Sequence, residues 1–311
     1  MTHSRRAILL GGAAAVTLAN LKSSSCAAEA DPSPPIATNT YPWLTFARRE
    51  SREFDHHADP LLADIATTGI VGYEPIVTAT SELSGLGLRL KDHGLEMKSI
   101  YVNSVLHDAE KVDQSIAEVV EIAAAAKALG TQIVVTNPSP IRWGGPDDKT
   151  DDQLRLQAKS LDLLGAELRK LDLTLAYHNH DAELRQGGRE FHHMLTATDP
   201  DHVKLCLDAH WIYRGCGNSE VAVFDALTHY HGRIVELHLR QSKAGVWAES
   251  FSMNGNIDYE RLFDYLVERS IRPHLVLEQA VEDASPHRLS VVEAHRQSNS
   301  NLRRAILPGS F

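Results

Sequence analysis

Cysteine is scarce in this chain, with Cys26, Cys206 and Cys216 the only three in 311 residues. That scarcity excludes a disulfide framework and a cysteine-built structural zinc site. Cys206 and Cys216 read as a buried strand thiol and a loop thiol. Basic residues are also in deficit, 31 Lys and Arg against 41 Asp and Glu, for a net charge of −10. Nucleic-acid binding needs clustered Lys and Arg on the phosphate backbone, so an acidic surface argues against it. No Gly-rich phosphate turn follows an early strand, which disfavours a doubly wound open sheet. Beyond the first 30 residues no run is apolar and long enough to span a bilayer.

The N-terminus is expected to be a removable export signal over residues 1–30. Ser4-Arg5-Arg6-Ala7-Ile8-Leu9-Leu10 is a twin-arginine pattern, followed by a weakly apolar stretch to about Leu21 and small residues at Ala28-Glu29-Ala30. The stretch is too short for a span of about 20 residues and carries Gly11, Gly12, Thr17 and Asn20. No stable membrane span is expected once the signal is gone, and the destination is the periplasm. Its removal takes away Arg5, Arg6, Lys22 and Glu29, leaving the rest two charges more acidic. Residues 31–40 are expected to be a Pro-rich tether.

From Tyr41 to the end, strand and helix alternate without a linker-like break. The pattern predicts strands at Trp43–Ala47, Ile70–Ile76, Leu95–Val102 and Thr131–Thr136. Helices are predicted from Asp59 to Thr68, Ser81–His93, Asp108–Leu129 and Thr150–Lys170. Asp59-Pro60 supplies an N-cap and first-turn proline, and Gly130 a C-cap. Four more strands and four more helices follow, the helices near 188–197, 219–231, 258–269 and 286–306. Eight βα units in about 270 residues predict a single-domain α/β fold, a (β/α)8 TIM barrel over 41–311.

The last four strands each end on a side chain that can hold a metal: His178, Asp208, His238 and Glu278, at intervals of 30, 30 and 40 residues. Alternation places Leu205 and Leu207 on one face and Cys206 and Asp208 on the other; Glu236 with His238, and Val276 with Glu278, follow the same phase. Helices cover the outside of a barrel, so the leucines face out and the ligand candidates face the mouth. Two carboxylates with imidazoles suit Mn²⁺, Mg²⁺, Co²⁺ or Zn²⁺. His180 and Glu183 compete with His178 for the strand-five place.

Other candidates surround the mouth. Glu74 ends strand two and can bind sugar hydroxyls or pair with a cation. His210 can line the pocket or orient a ligand, and Arg240 can take substrate oxygens or balance the carboxylates. Arg142, Trp143 and Trp247 sit on the two longest top loops, where an aromatic can stack on a sugar ring or pack against the rim.

The chain resembles the sugar phosphate isomerase/epimerase superfamily, the xylose isomerase-like TIM barrels, over essentially all of Tyr41–Ile306. The resemblance is carried by Gly72-Tyr73-Glu74-Pro75, Tyr177-His178-Asn179-His180-Asp181 and Leu207-Asp208-Ala209-His210-Trp211. It continues through His238-Leu239-Arg240, Gly255-Asn256-Ile257-Asp258-Tyr259 and Val276-Leu277-Glu278. It implies a metal held by an acidic residue of strand five, then Asp208, His238 and Glu278. In the family's epimerases two metal-bound glutamates exchange the proton; here His178 stands in place of the first. The Tyr-His-Asn-His pattern is more similar to the inosose dehydratase and keto-sugar-processing branch. Arg240-Gln241 replaces the family's common Lys-Asp.

The expected chemistry is metal-dependent removal of a proton next to a carbonyl of a keto-sugar or cyclitol, with Glu278 or His180 as base. Isomerisation, epimerisation or dehydration follows according to where the electrons go. An AP-endonuclease-like metal-dependent hydrolase and a non-catalytic exported sugar-binding barrel are the competing readings. Homo-oligomerisation is left open.

Overall fold

The computed structural model describes residues 34–56 and 58–306; the expected signal lies outside the described residues. The strands are β1 (Ile36–Asn39), β2 (Gly72–Glu74), β3 (Ser99–Tyr101), β4 (Ile133–Thr136), β5 (Thr174–His178), β6 (Val203–Asp208) and β7 (Ile234–Leu239). A short antiparallel hairpin follows, β8 (Ser242–Lys243) with β9 (Val246–Trp247), and then β10 (His274–Leu277). The helices are α1 (Thr40–Arg49), α2 (Asp59–Thr67), α3 (Leu86–Asp92), α4 (Val112–Lys127), α5 (Asp151–Lys170), α6 (Arg185–Thr196), α7 (Ala209–Gly215), α8 (Glu220–Tyr230), α9 (Tyr259–Glu268) and α10 (Val291–Ala305).

Eight strands run parallel in the order β2-β1-β10-β7-β6-β5-β4-β3. Isolated parallel bridges, Gly72 to Glu96 and Ile76 to Tyr101, join the seam between β2 and β3. The fold is a TIM barrel, with the strands' C-terminal ends gathered at one mouth.

The first strand departs from the expectation. Trp43–Ala47 lies within α1, and β1 is Ile36–Asn39, inside the segment expected to be a tether. Trp43, Phe46 and Ala47 are buried at helical spacing, so the apolar run was a helix face. Asn39 ends β1 and caps α1, its Oδ1 accepting from the Tyr41 backbone N–H at 2.7 Å. The barrel therefore begins before residue 41. Gly72 lets β2 lie close on β1, because a Cβ there would sit 2.7 Å from the Ala37 Cβ.

The alternation read from β6, β7 and β10 holds. Leu205, Leu207, Leu237, Leu239, Leu275 and Leu277 join the large apolar layer beneath the helices. A separate small cluster, Tyr101, Ile133, Val135, Ala176 and Cys206, fills the barrel interior. Capping boxes start α5 at Thr150/Gln153 and α10 at Ser290/Glu293.

Candidate metal centre

Register brings the strand-end residues together. Asp208 pairs across the sheet with His238, His178 with Cys206, and His238 with Val276, two residues before Glu278. His178, Asp208, His238 and Glu278 are all buried and offer ligand atoms within 4.8 Å of one another. His178 Nε2 is 3.9 Å from Asp208 Oδ2, and His238 Nδ1 is 3.4 Å from Glu278 Oε1.

The donor set fits a divalent cation. His178 Nε2, Asp208 Oδ2 and His238 Nδ1 are buried with no hydrogen-bond partner. Buried polar atoms are rarely left so, and these three belong to side chains whose ligand atoms lie within 4.8 Å of one another, a spacing that one divalent cation can bridge. Burial pushes the Asp208 carboxyl up to about 7, against Arg240 and with Glu278 adding repulsion. Burial, then His238, holds His178 well below its ordinary value, in the neutral form a metal needs. Tyr101 Oη sits 3.4 Å from His178 Nδ1, which leaves Nε2 to face Asp208. Asp208 Oδ1 accepts from the Trp211 backbone N–H at 2.8 Å, so α7 fixes the carboxylate's orientation.

Glu183 is already engaged elsewhere. Its carboxylate accepts from Asn137 Nδ2 at 3.1 Å and from the His180 backbone N–H at 2.7 Å. That leaves His178 as the strand-five member of the cluster.

A cavity of about 630 Å³ opens over the cluster, and its walls include Tyr41, Tyr101, Asn103, Trp143, His180, Trp211, Arg240 and Glu278. That is within the range of small-molecule sites. His180 is half-buried, with Trp143 edge-on at 5.1 Å and Trp211 at 5.5 Å. Its Nδ1 has no partner, and burial lowers its pKa to about 4. Arg240 is fully buried; its Nε donates to the Glu278 carbonyl at 2.9 Å and its Nη2 to Glu278 Oε2 at 2.5 Å. The guanidinium lies 4.4 Å from the Trp247 ring and 4.8 Å from the Trp211 ring, leaving Nη1 unpaired.

Four expected substrate contacts lie elsewhere. Glu74 is fully buried below the cluster, bonded to Asn39 Nδ2 at 2.6 Å and 3.0 Å from His238 Nε2. His210 is buried against Tyr213 and Trp247 and does not reach the cavity wall. Arg142 is exposed and pairs with Asp147 at 3.3 Å. Trp247 backs Arg240 from outside the cavity. The unanticipated wall residues had partial signals. Tyr101 shares the inward phase of strand three, Trp211 stands inside the Asp208–Trp211 motif, and Tyr41 was obscured by the misplaced first strand.

Comparison with known proteins agrees with this architecture. The family described as xylose isomerase-like TIM barrel matches residues 62–302. An inosose dehydratase of Geobacillus kaustophilus (strain HTA426) is 22% identical over 262 residues, 75% of this chain and 83% of that protein. The solved L-ribulose 3-epimerase superposes with a TM-score of 0.67 at 15% identity, covering 88% of this chain and 94% of that one. A xylose isomerase-like TIM barrel protein from Mycobacterium smegmatis in complex with magnesium superposes with a TM-score of 0.64 at 14% identity, covering 88% and 96%. The chain belongs to the xylose isomerase-like TIM barrel family.

Proposed function

We propose that the chain is a divalent-metal-dependent dehydratase that takes a proton from the carbon next to the carbonyl of a keto-sugar or cyclitol and expels a β-hydroxyl as water. The observation that carries this is the convergence of His178, Asp208, His238 and Glu278 within 4.8 Å, at the base of a sugar-sized cavity. These four residues would hold the metal. When bound, the metal polarises the substrate carbonyl and acidifies the adjacent C–H.

His180 serves as the base. It lines the cavity, whereas Glu278 has one oxygen on Arg240 and the other against His238. With one free base, the proton taken from the α-carbon is the one returned to the leaving hydroxyl. The C–H and C–O bonds break, a C=C bond forms, and both steps occur on one face of the substrate. The Arg240 guanidinium belongs to the same wall, where its charge stabilises negative charge on a substrate oxygen. Trp143 and Trp211 flank His180 and narrow its approach to the side of the cavity. The dehydratase relative supports the reaction class, as does the histidine at strand five, which leaves no second carboxylate for proton exchange on the opposite face.

Incubation with inososes and keto-sugars in D₂O, with Mn²⁺ or Co²⁺, is expected to give metal-dependent proton exchange and an unsaturated product. Metal-loaded protein that exchanges no proton from either class would overturn the enzyme reading and favour a binding protein. Exchange yielding only an epimer would overturn dehydration.

Export to the periplasm is a separate proposal, supported by the Arg5-Arg6 pattern. Arg5→Lys with Arg6→Lys is expected to retain the protein in the cytoplasm; unchanged periplasmic recovery would sink it.

A further inference from the structure

We propose that Glu74 and Glu236 are positioning residues for His238, holding the ring so that Nδ1 is presented to the metal. The inference rests on the metal-centre reading above and adds residues on its buried side.

The two ring nitrogens of His238 face opposite ways. Nδ1 lies toward the cavity, 3.4 Å from Glu278 Oε1. Nε2 lies toward the barrel floor, 3.0 Å from Glu74 Oε1 and 3.3 Å from Glu236 Oε1. An imidazole that ligates through one nitrogen carries its proton on the other, and that N–H needs an acceptor when the ring is buried, as His238 is. Glu74 and Glu236 set carboxyl oxygens 3.0 and 3.3 Å from that nitrogen, close enough to take the proton's hydrogen bond once the ring is held by a metal.

The acceptors are themselves fixed. Asn39 Nδ2 donates to Glu74 Oε1 at 2.6 Å, and the Cys206 thiol donates to Glu236 Oε1 at 3.5 Å. Glu74, Glu236 and His238 are all wholly buried, and Glu74 and Glu236 do not line the cavity. Burying two acids in a barrel interior is expensive, and neither has a Lys or Arg partner among the described residues. Neither lines the cavity; they face one another and share the far side of His238. The Asn39 bond reaches from β1, so the first strand also steadies, through Glu74, the ring on β7.

The test is metal binding to the full mature chain, followed by Co²⁺ absorption and by calorimetric titration with Mn²⁺. Glu74→Ala is expected to weaken metal binding by roughly 10–100-fold and to perturb the Co²⁺ ligand-field bands. Glu74→Gln keeps an acceptor oxygen of the same shape and is expected to restore most of the affinity; Glu236→Gln should lie between. The apo-protein's thermal midpoint is read alongside, and the Gln variants remain informative if the Ala variant does not fold. Wild-type protein that binds no metal would sink the metal-centre reading itself. A wild type that binds, with Gln and Ala variants binding equally well, would overturn the positioning role alone. Two ions per chain in wild type, falling to one in Glu74→Gln, would overturn it in favour of a second cation at Glu74 and Glu236.

Discussion

Arg240 Nη2 lies 2.5 Å from Glu278 Oε2, and both side chains are buried. The pair joins the end of β7 to the end of β10 and occupies one oxygen of a carboxylate in the His178, Asp208, His238 and Glu278 cluster. With burial opposing, His238 and then Arg240 bring the Glu278 carboxyl down to about 2, so it remains ionised and is a weak base. Replacing Arg240 by Leu strands that carboxylate and is expected to cost about 3–5 kcal/mol. Arg240→Lys keeps the charge but loses the fork and the stack between Trp211 and Trp247, so an intermediate loss is expected. Urea unfolding of both variants checks this; wild-type stability in Arg240→Leu would show that the pair does not carry the charge balance of the mouth.

The roles of His180 and Glu278 separate cleanly by experiment. His180→Gln is expected to keep full metal content while slowing α-proton exchange by roughly 100-fold or more. Glu278→Gln is expected to lower metal content and exchange together. Metal analysis beside the D₂O assay distinguishes them. A His180→Gln protein that exchanges at the wild-type rate would move the base to another residue.

Much of this site was legible because β-strand alternation is a hard constraint. Once Leu205 and Leu207 are assigned outward, Cys206 and Asp208 must face inward, and the same count holds for Glu236 with His238. The errors came from positions where period and length compete. Trp43, Phe46 and Ala47 fit a short apolar strand as well as a helix face, and only the capping of α1 by Asn39 decides it. Glu74 was placed at the strand-two end, but sequence does not show that the neighbouring barrel floor holds a histidine nitrogen needing an acceptor. Arg142 lies on a loop whose course is set by long-range contacts such as Arg185 Nη1 to the Gly145 carbonyl at 2.9 Å, which no local pattern encodes.

Stability should fall with acid through a group far from the metal. His295 in α10 is buried and stacks 4.2 Å from Trp43; its Nδ1 donates to the Val291 carbonyl at 2.8 Å and Nε2 has no partner. Burial lowers its pKa to about 4 from 6.5. The unfolded chain takes up the proton first as pH drops, so the contribution is complete above about 6.5 and is lost between there and about 4. His295→Phe keeps the ring and removes the proton site. Its stability is expected to decline less steeply over that window, by on the order of 3 kcal/mol in total. Urea midpoints of the two apo-proteins at several pH values test this; parallel curves would show that His295 does not titrate on unfolding.

The histidine at strand five offers the most discriminating substitution. His178→Glu places a third carboxylate in a pocket that already holds Asp208 and Glu278 within ligand distance. Without metal this adds like charge where burial already pushes Asp208 up to about 7, so the apo-protein is expected to lose stability. With Mn²⁺ the added oxygen is a hard ligand for a hard cation, and binding energy becomes folding energy. The Mn²⁺-dependent rise in thermal midpoint should therefore be larger in the variant than in wild type. The added carboxylate restores, with Glu278, the pair of metal-site glutamates that the resemblance assigns to proton exchange in the family's epimerases, so deuterium is expected to enter from both faces, and epimer to accumulate at the expense of the dehydrated product. NMR of the product mixture reads this directly. An unchanged product with deuterium on one face only would show that the strand-five residue does not decide between the two reactions.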